Sequence, residues 1–161
     1  MENGIEHAII NLGGNIALIN GKTEELGFRI GIQDPDQDRG GYLGVLETKD
    51  RCIVSSGDYE RYFEQDGKRY HHILNPFTGY PAESDVRQVT IVSEKSINGD
   101  ALSTIAFLVG SKEGMELVRE LNEVEAIFVT ENKTIYVSEG LSEEFTLDEE
   151  NYGEIYEVEY Y

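Results

Sequence analysis

The sequence of 161 residues is poor in cysteine, in positive charge and in long apolar runs. Its single cysteine, Cys52, cannot form a disulfide within the chain, and its apolar neighbours predict a small buried thiol. Thirteen Lys and Arg against 32 Asp and Glu give a formal charge of −19. That charge argues against nucleic acid as a partner and favours a cation as a ligand.

No apolar run is long enough to cross a membrane, and no basic leader with a small-residue cleavage site precedes the first predicted strand. We therefore expect neither a membrane span nor an export signal within these residues. Taken alone the chain would be cytoplasmic, but the sequence leaves its location open.

Length and composition predict one domain, because 39% hydrophobic residues with ten Tyr and six Phe suffice for one packed core. Ten short β-rich runs indicate strands. They lie at 8–12, 16–19, 28–32, 43–47, 52–55, 59–64, 70–74, 89–92, 126–130 and 134–137. Helices are predicted at about 99–109, ending at Gly110, and after Ser111 as N-cap. The predicted fold class is α+β.

Several predicted strands are joined by residue pairs that tolerate positive φ or favour tight hairpins. The pairs are Gly13-Gly14, Asn20-Gly21, Asp66-Gly67, Thr78-Gly79 and Asn132-Lys133.

The end of the chain has a different character. From Glu139 to Tyr161 there are nine acidic residues and neither Lys nor Arg. This composition predicts a solvated tail, either disordered or forming a loose edge strand at 155–160. An acidic docking segment for a basic partner is the alternative.

The densest group of chemically active residues lies at 58–81, which contains two adjacent histidines and an Asn-Pro/Thr-Gly turn. His71 and His72 on one strand must point to opposite faces, so only one of them can enter a given site. His72 precedes the turn, which would project it into a cleft where imidazole can take a proton from a hydroxyl. A structural role for either histidine is the alternative.

Asp100 and Thr104 stand at the i, i+4 spacing that places two oxygen donors on one helix face. Hard oxygen donors suit Mg²⁺ or Ca²⁺. Because Asp100 follows Asn98 and Gly99 at a predicted helix start, capping of free backbone N–H groups is the competing interpretation.

Gly13 and Gly14 could cradle a phosphate, but they lack both common phosphate-loop fingerprints, so a plain turn is an equal alternative. Ser55 and Ser56 lack the surroundings of a nucleophilic serine, which favours a turn or a ligand-contact loop.

Five segments occur in a fixed order along the chain. They are NLGGNI at 11–16, IGIQDP at 30–35, SSGDYERYF at 55–63, KRYHHILNPFTGYP at 68–81 and GDALSTIAF at 99–107. Together they resemble the ApbE family, the FAD:protein FMN transferases. The resemblance implies that residues 1–140 form the C-terminal half of an ApbE-like, T-fold-like domain. This half would be a mixed, largely antiparallel sheet carrying two helices, with an acidic, Tyr-rich tail at 141–161.

The resemblance also implies a Mg²⁺-dependent flavin transferase. FAD would be the substrate, FMN would be joined through a phosphoester to a Ser or Thr hydroxyl of an acceptor flavoprotein, and AMP would be released. Phosphoryl transfer calls for this combination of a metal near the phosphate oxygens and a base near the attacking hydroxyl.

Six positions match functional positions of the family. They are Asp100 and Thr104 as metal ligands, His72 as the base that activates the acceptor hydroxyl, Ile73 where the backbone lies along the nucleotide, and Gly13 and Gly14 in the glycine turn.

Members of the family are much longer than this chain, which resembles only their C-terminal half. We expect an exposed apolar surface where the other half would pack, and hence weak stability, self-association or pairing with a separately encoded N-terminal half. A non-catalytic remnant acting as a binding or interaction domain is the alternative function. The family is often anchored outside the cytoplasm.

Overall fold

The computed structural model describes residues 4–37 and 40–161, which contain twelve strands, three helices and one 3-10 turn. The strands are β1 Ala8–Asn11, β2 Asn15–Ile19, β3 Phe28–Gln33, β4 Tyr42–Thr48, β5 Cys52–Gly57, β6 Tyr62–Gln65, β7 Lys68–His71, β8 Val86–Ser93, β9 Val124–Thr130, β10 Thr134–Val137, β11 Phe145–Leu147 and β12 Glu157–Tyr160. The helices are α1 Ser96–Val109, α2 Ser111–Arg119 and α3 Glu149–Tyr152, and the 3-10 turn is Glu139–Leu141. Each of the ten predicted strands is present.

Seven strands form the main sheet, in the order β1-β2-β5-β8-β9-β10-β12. All of its neighbouring pairs are antiparallel except β10 with β12, which is parallel. A second sheet has the order β11-β4-β3, and β6 pairs with β7 as a separate hairpin. The predicted mixed, largely antiparallel α+β fold is confirmed.

The main sheet is the middle of three layers. On one face Val89, Ile91 and Phe128 pack with residues of α1 and α2. On the other face Val92 and Ile127 pack with residues of the three-stranded sheet. Both faces of β8 and β9 are therefore covered, which explains why these strands are almost continuously buried.

The predicted turn pairs adopt the backbone that their residues favour. Seven of their residues have positive φ: Gly13, Gly14, Asn20, Asp66, Gly67, Gly79 and Lys133. Because most other residues are strained at positive φ, these short-range sequence signals were reliable.

The junction of the two long helices differs slightly from the prediction. Gly110, with φ 94° and ψ 173°, is both the C-cap of α1 and the N-cap of α2, so Ser111 is not the N-cap. The carboxylate of Asp85 accepts the Ser111 backbone N–H at 3.0 Å and also accepts its hydroxyl. A side chain distant in sequence therefore satisfies the first turn of α2.

The predicted edge strand at 155–160 is present as β12, but the residues before it are not the solvated tail that the composition predicted. Leu141, Phe145, Leu147 and Tyr156 are buried. Strand β11 pairs with β4, while β12 forms one edge of the main sheet beside β10. Alternating apolar residues in β11 enter the core despite their acidic neighbours. A boundary near residue 140 stays a prediction.

Cys52 is buried, as predicted, and burial raises the pKa of its thiol. Within the described ranges, none of the helices combines the length and the apolar character needed to span a bilayer. Residues 1–3, 38 and 39 of the predicted domain at 1–140 lie outside the described residues.

Candidate active site

A cavity of about 630 Å³ lies where the β1–β2 turn approaches β3 and β5. Its lining includes Gly13, Gly14 and His72, so three of the residues singled out in the sequence share one cavity. The volume falls within the roughly 300–1,000 Å³ typical of small-molecule sites.

The glycine turn is built by local hydrogen bonds and by left-handed backbone. The φ angles of Gly13 and Gly14 are 74° and 85°. Asn11 Oδ1 accepts the Gly13 N–H at 2.9 Å, and the Gly14 carbonyl accepts the Ser55 N–H at 2.9 Å. The turn interpretation accounts for both glycines, and their contact with a cofactor stays a prediction.

The two histidines point in different directions, as their adjacent positions on one chain require. The His71 ring is buried edge-on against Phe107, with 5.6 Å between ring centroids. Its Nε2 donates to the Ala82 carbonyl at 3.2 Å in the neutral tautomer. Burial lowers the pKa of His71, which keeps the ring neutral inside the protein.

His72 is exposed and lines the cavity. Its backbone N–H donates to the Arg61 carbonyl at 3.1 Å, which ties it to the segment after β5. Of the two neighbours, His72 is therefore the one available for chemistry.

Next to His72, Ile73 is buried, and its carbonyl accepts the Ala82 N–H at 2.9 Å. The loop that follows is closed by the Asn75 N–H, which donates to the Tyr80 carbonyl at 2.8 Å. Ile73 thus fixes the base of an ordered loop, and its position beside a nucleotide stays a prediction.

Asp100 is not a helix cap. Helix α1 begins at Ser96, its N-cap is Lys95, and its first turn carries no acidic residue. The capping interpretation is wrong because the helix starts earlier than its sequence suggested. Asp100 and Thr104 are both exposed, one turn apart.

The position of α1 is fixed by a close approach to β5. A Cβ at Gly99 would lie 2.7 Å from the Val54 side chain, so only glycine allows this contact. Ser103 lies four residues after Gly99 on α1. Its Oγ accepts a hydrogen bond at 2.8 Å from the hydroxyl of Ser56, a residue that lines the cavity. Asp100 and Thr104 are direct neighbours of these two contact points.

The donors fit a metal ion only in part. The described residues contain no group of three or more His, Cys, Asp and Glu that could hold a metal. One carboxylate and one hydroxyl are nevertheless compatible with Mg²⁺, which commonly binds through one or two carboxylates and takes its other oxygens from water and phosphate.

A charged frame that the sequence motifs did not predict lies beside the cavity. Arg87 Nε donates to both Asp58 oxygens at 2.9 Å, and Arg87 Nη1 donates to Asp36 at 2.8 Å. The Tyr59 hydroxyl donates to Gln88, and burial, with nearby carboxylates, raises the pKa of Tyr59. The available signal was a charged and an amide side chain, Arg87 and Gln88, beside the apolar residues of β8.

The fold is α+β, and its mixed sheet carries an open cavity bordered by a histidine and ordered loops. Open cavities of this kind are typical of small-molecule binding sites. The chain belongs to the ApbE family, whose family model matches residues 1–128.

Named relatives share both sequence and fold. A FAD:protein FMN transferase of Klebsiella pneumoniae is 42% identical over 134 residues, which are 83% of this chain and 40% of that protein. The ApbE protein of Thermotoga maritima has a TM-score of 0.75 at 36% identity, covering 86% of this chain and 44% of that structure. The flavin transferase ApbE of Vibrio cholerae has a TM-score of 0.72 at 29% identity, covering 88% of this chain and 45% of that structure. The chain therefore spans less than half the length of these relatives.

Proposed function

We propose that the chain forms part of a FAD:protein FMN transferase and contributes its acceptor-activating base and two of its metal ligands. The observation that carries the proposal is the cavity that unites His72 with the glycine turn, in a chain whose named relatives are FAD:protein FMN transferases.

The proposed reaction exchanges the phosphoanhydride bond of FAD for a phosphoester bond to the acceptor. A Ser or Thr hydroxyl oxygen of the acceptor attacks the FMN phosphorus of FAD, and the bond from that phosphorus to the bridging oxygen breaks. AMP leaves with the bridging oxygen, while the hydroxyl proton passes to the imidazole of His72. Neutral imidazole suits this role because it can accept a proton near neutral pH.

Asp100 and Thr104 would hold Mg²⁺ through their side-chain oxygens. The ion, when bound, would neutralise charge on the phosphate oxygens. Their exposure suits a site shared with substrate oxygens, water and a further ligand from outside this chain.

The adjacent protein surface supports pairing with a further part of the enzyme. Ile9 and Ile10 on β1 are 47% and 45% exposed, and Ile97 on α1 is 76% exposed. Exposed apolar residues of this kind favour burial by a preceding half of the enzyme or by self-association. The non-catalytic alternative has no feature of its own in its favour, because the residues proposed as base and as metal ligands are all present in the chain.

The test incubates the chain with FAD, Mg²⁺ and an acceptor that carries a Thr-containing target sequence. In-gel flavin fluorescence and intact mass should detect one added FMN. If the chain alone is inactive, the preceding part of the Klebsiella relative is added. Failure with both preparations would reject the proposal.

A pair of histidine variants tests the assigned base. His72→Ala should abolish transfer and leave FAD binding nearly intact, because the imidazole acts on the acceptor proton. His7→Ala is the matched control, since His7 bonds to Gly21 and does not line the cavity. A His72→Ala rate equal to the control would reject the assignment.

A carboxylate pair tests the assigned metal ligands. Asp100→Ala should steeply raise the Mg²⁺ concentration required for transfer. Glu116→Ala removes an exposed carboxylate from α2 and should leave that requirement unchanged. Equal Mg²⁺ dependence in both variants would remove Asp100 from the metal site.

A further inference from the structure

We propose that Arg61 recognises the diphosphate of the flavin dinucleotide and thereby makes the cavity selective for FAD over flavins without phosphate. This inference rests on the proposed function, because it takes the cavity as the FAD site. It assigns a specificity role to a residue that the sequence motifs left unexplained.

The first observation is electrostatic. The chain carries a formal charge of −19, which opposes the approach of a dianionic dinucleotide. Among the described residues that line the cavity, Arg61 is the one with a permanent positive charge, and Glu60 is the one with a carboxylate. A local cation is therefore needed, and Arg61 is in the position to supply it.

The second observation is that the Arg61 side chain is free to bind. Arg51, Arg69 and Arg87 each form an ion pair with a carboxylate. In the part of the chain that the structure describes, the Arg61 guanidinium has no such partner. Its fork of N–H donors can accordingly bind two phosphate oxygens without first breaking an ion pair.

The third observation is that its backbone is held in place. Asp58 lies three residues before Arg61, and its carboxylate accepts a hydrogen bond from Arg87 Nε. The Asp58 backbone N–H donates to the Arg87 carbonyl at 3.2 Å. The Tyr59 hydroxyl is bonded to Gln88. These bonds fix the segment that leads to the Arg61 backbone, while the Arg61 side chain stays available for a ligand. Binding therefore costs little entropy for ordering the loop.

The fourth observation links recognition to chemistry. The Arg61 carbonyl accepts the His72 N–H at 3.1 Å, so the phosphate-binding residue and the proposed base are joined directly through the backbone. A phosphate bound by Arg61 would lie at the same wall of the cavity as His72. Arg61 therefore places the charged part of FAD where the transfer takes place.

The experiment measures the affinity of the purified chain for FAD and for riboflavin by flavin fluorescence. Riboflavin has the same ring system but no phosphate. A variant that has lost only the contact with the diphosphate will still bind riboflavin, whereas a variant with a damaged cavity will bind neither flavin well. We expect Arg61→Gln to weaken FAD binding at least tenfold and riboflavin binding less than twofold. Arg61→Lys, which keeps the charge but not the fork, should lose less affinity for FAD.

Arg119→Gln is the matched control, since Arg119 is exposed on α2, outside the cavity, and the change in net charge is the same. It should alter neither affinity by more than twofold. FAD affinity should also fall with added salt in the wild-type chain, and less steeply in Arg61→Gln.

Each contrary result has a distinct meaning. Unchanged FAD affinity in Arg61→Gln, or an equal loss for FAD and riboflavin, would overturn the inference alone. A wild-type chain that binds neither flavin, both alone and with the preceding part of the Klebsiella relative added, would overturn the proposed function of the cavity and the inference with it. Far-UV circular dichroism verifies that each variant is folded.

Discussion

Replacing Phe145 with alanine should destabilise the protein severely, although this residue lies in a segment whose composition resembles a solvated tail. Phe145 is 3% exposed and belongs to the core between the two larger sheets. Its ring lies directly on the backbone of β4, because a Cβ at Gly44 would come within 2.7 Å of Phe145 Cε2. The backbone of β4 therefore borders the space that the ring occupies, and it cannot move in to fill that space when the ring is removed.

Truncation of a buried phenylalanine to alanine costs about 3–5 kcal/mol through lost transfer energy and the cavity left behind. We expect Phe145→Ala at the upper end of that range, because backbone forms one wall. Since small domains are stable by only about 5–15 kcal/mol, this is a large fraction of the total. Phe145→Leu, which retains most of the apolar volume, should cost less than about 1.5 kcal/mol and keeps the test usable if the alanine variant does not fold.

Equilibrium urea unfolding followed by far-UV circular dichroism is the appropriate assay, since the chain has no Trp. Phe77→Ala makes the same chemical change at a residue that is 95% exposed, and should alter the free energy of unfolding by less than about 0.5 kcal/mol. Equal losses in the two variants, or a loss below about 1 kcal/mol for Phe145→Ala, would refute the claim that the C-terminal segment is part of the core.

Three further predictions concern hydrogen bonds, pH and backbone conformation. Tyr156→Phe removes the hydroxyl that donates to buried Asp34 at 3.2 Å, and should cost about 1–3 kcal/mol in urea unfolding. Burial lowers the pKa of folded His71 below the unfolded value of about 6.5, so the unfolded chain binds the proton first and stability falls as pH drops below that value. Between pH 7.5 and 5.5 the free energy of unfolding of His71→Asn should therefore fall less than that of the wild type. An equal fall would contradict a lowered pKa for His71 in the folded protein. Gly110→Ala forces a side chain into φ 94° and ψ 173° and should cost about 1–3 kcal/mol, while no change in the unfolding midpoint would argue against strain.

Local sequence signals were sufficient for most of the fold. Strand β10 has its predicted bounds of 134–137, because alternating β-formers and a turn pair at 132–133 specify it within a few residues. Strand β6 begins at Tyr62 and not at residue 59, and the Tyr59 hydroxyl instead donates to Gln88, a partner 29 positions away. Such a contact leaves no local pattern.

The remaining errors have the same physical origin. Acidic neighbours hid the Phe-Thr-Leu alternation of β11, whose burial depends on β4, far away in the sequence. For the site, motif order identified His72 and the glycine turn, which do share a cavity. The pair Arg87 and Asp58 was missed because only the folded chain brings the two together.

Strand β12 has a consequence for synthesis of the protein on the ribosome. The outer edge of β10 is paired with Glu157–Tyr160, which leave the exit tunnel after every other described strand of the main sheet. Until they emerge, a nascent chain carries an open row of backbone N–H and C=O groups beside a nearly complete sheet. Neighbouring chains on one polysome would therefore meet at this edge, and a chain interrupted before β12 would leave it permanently open to other strands.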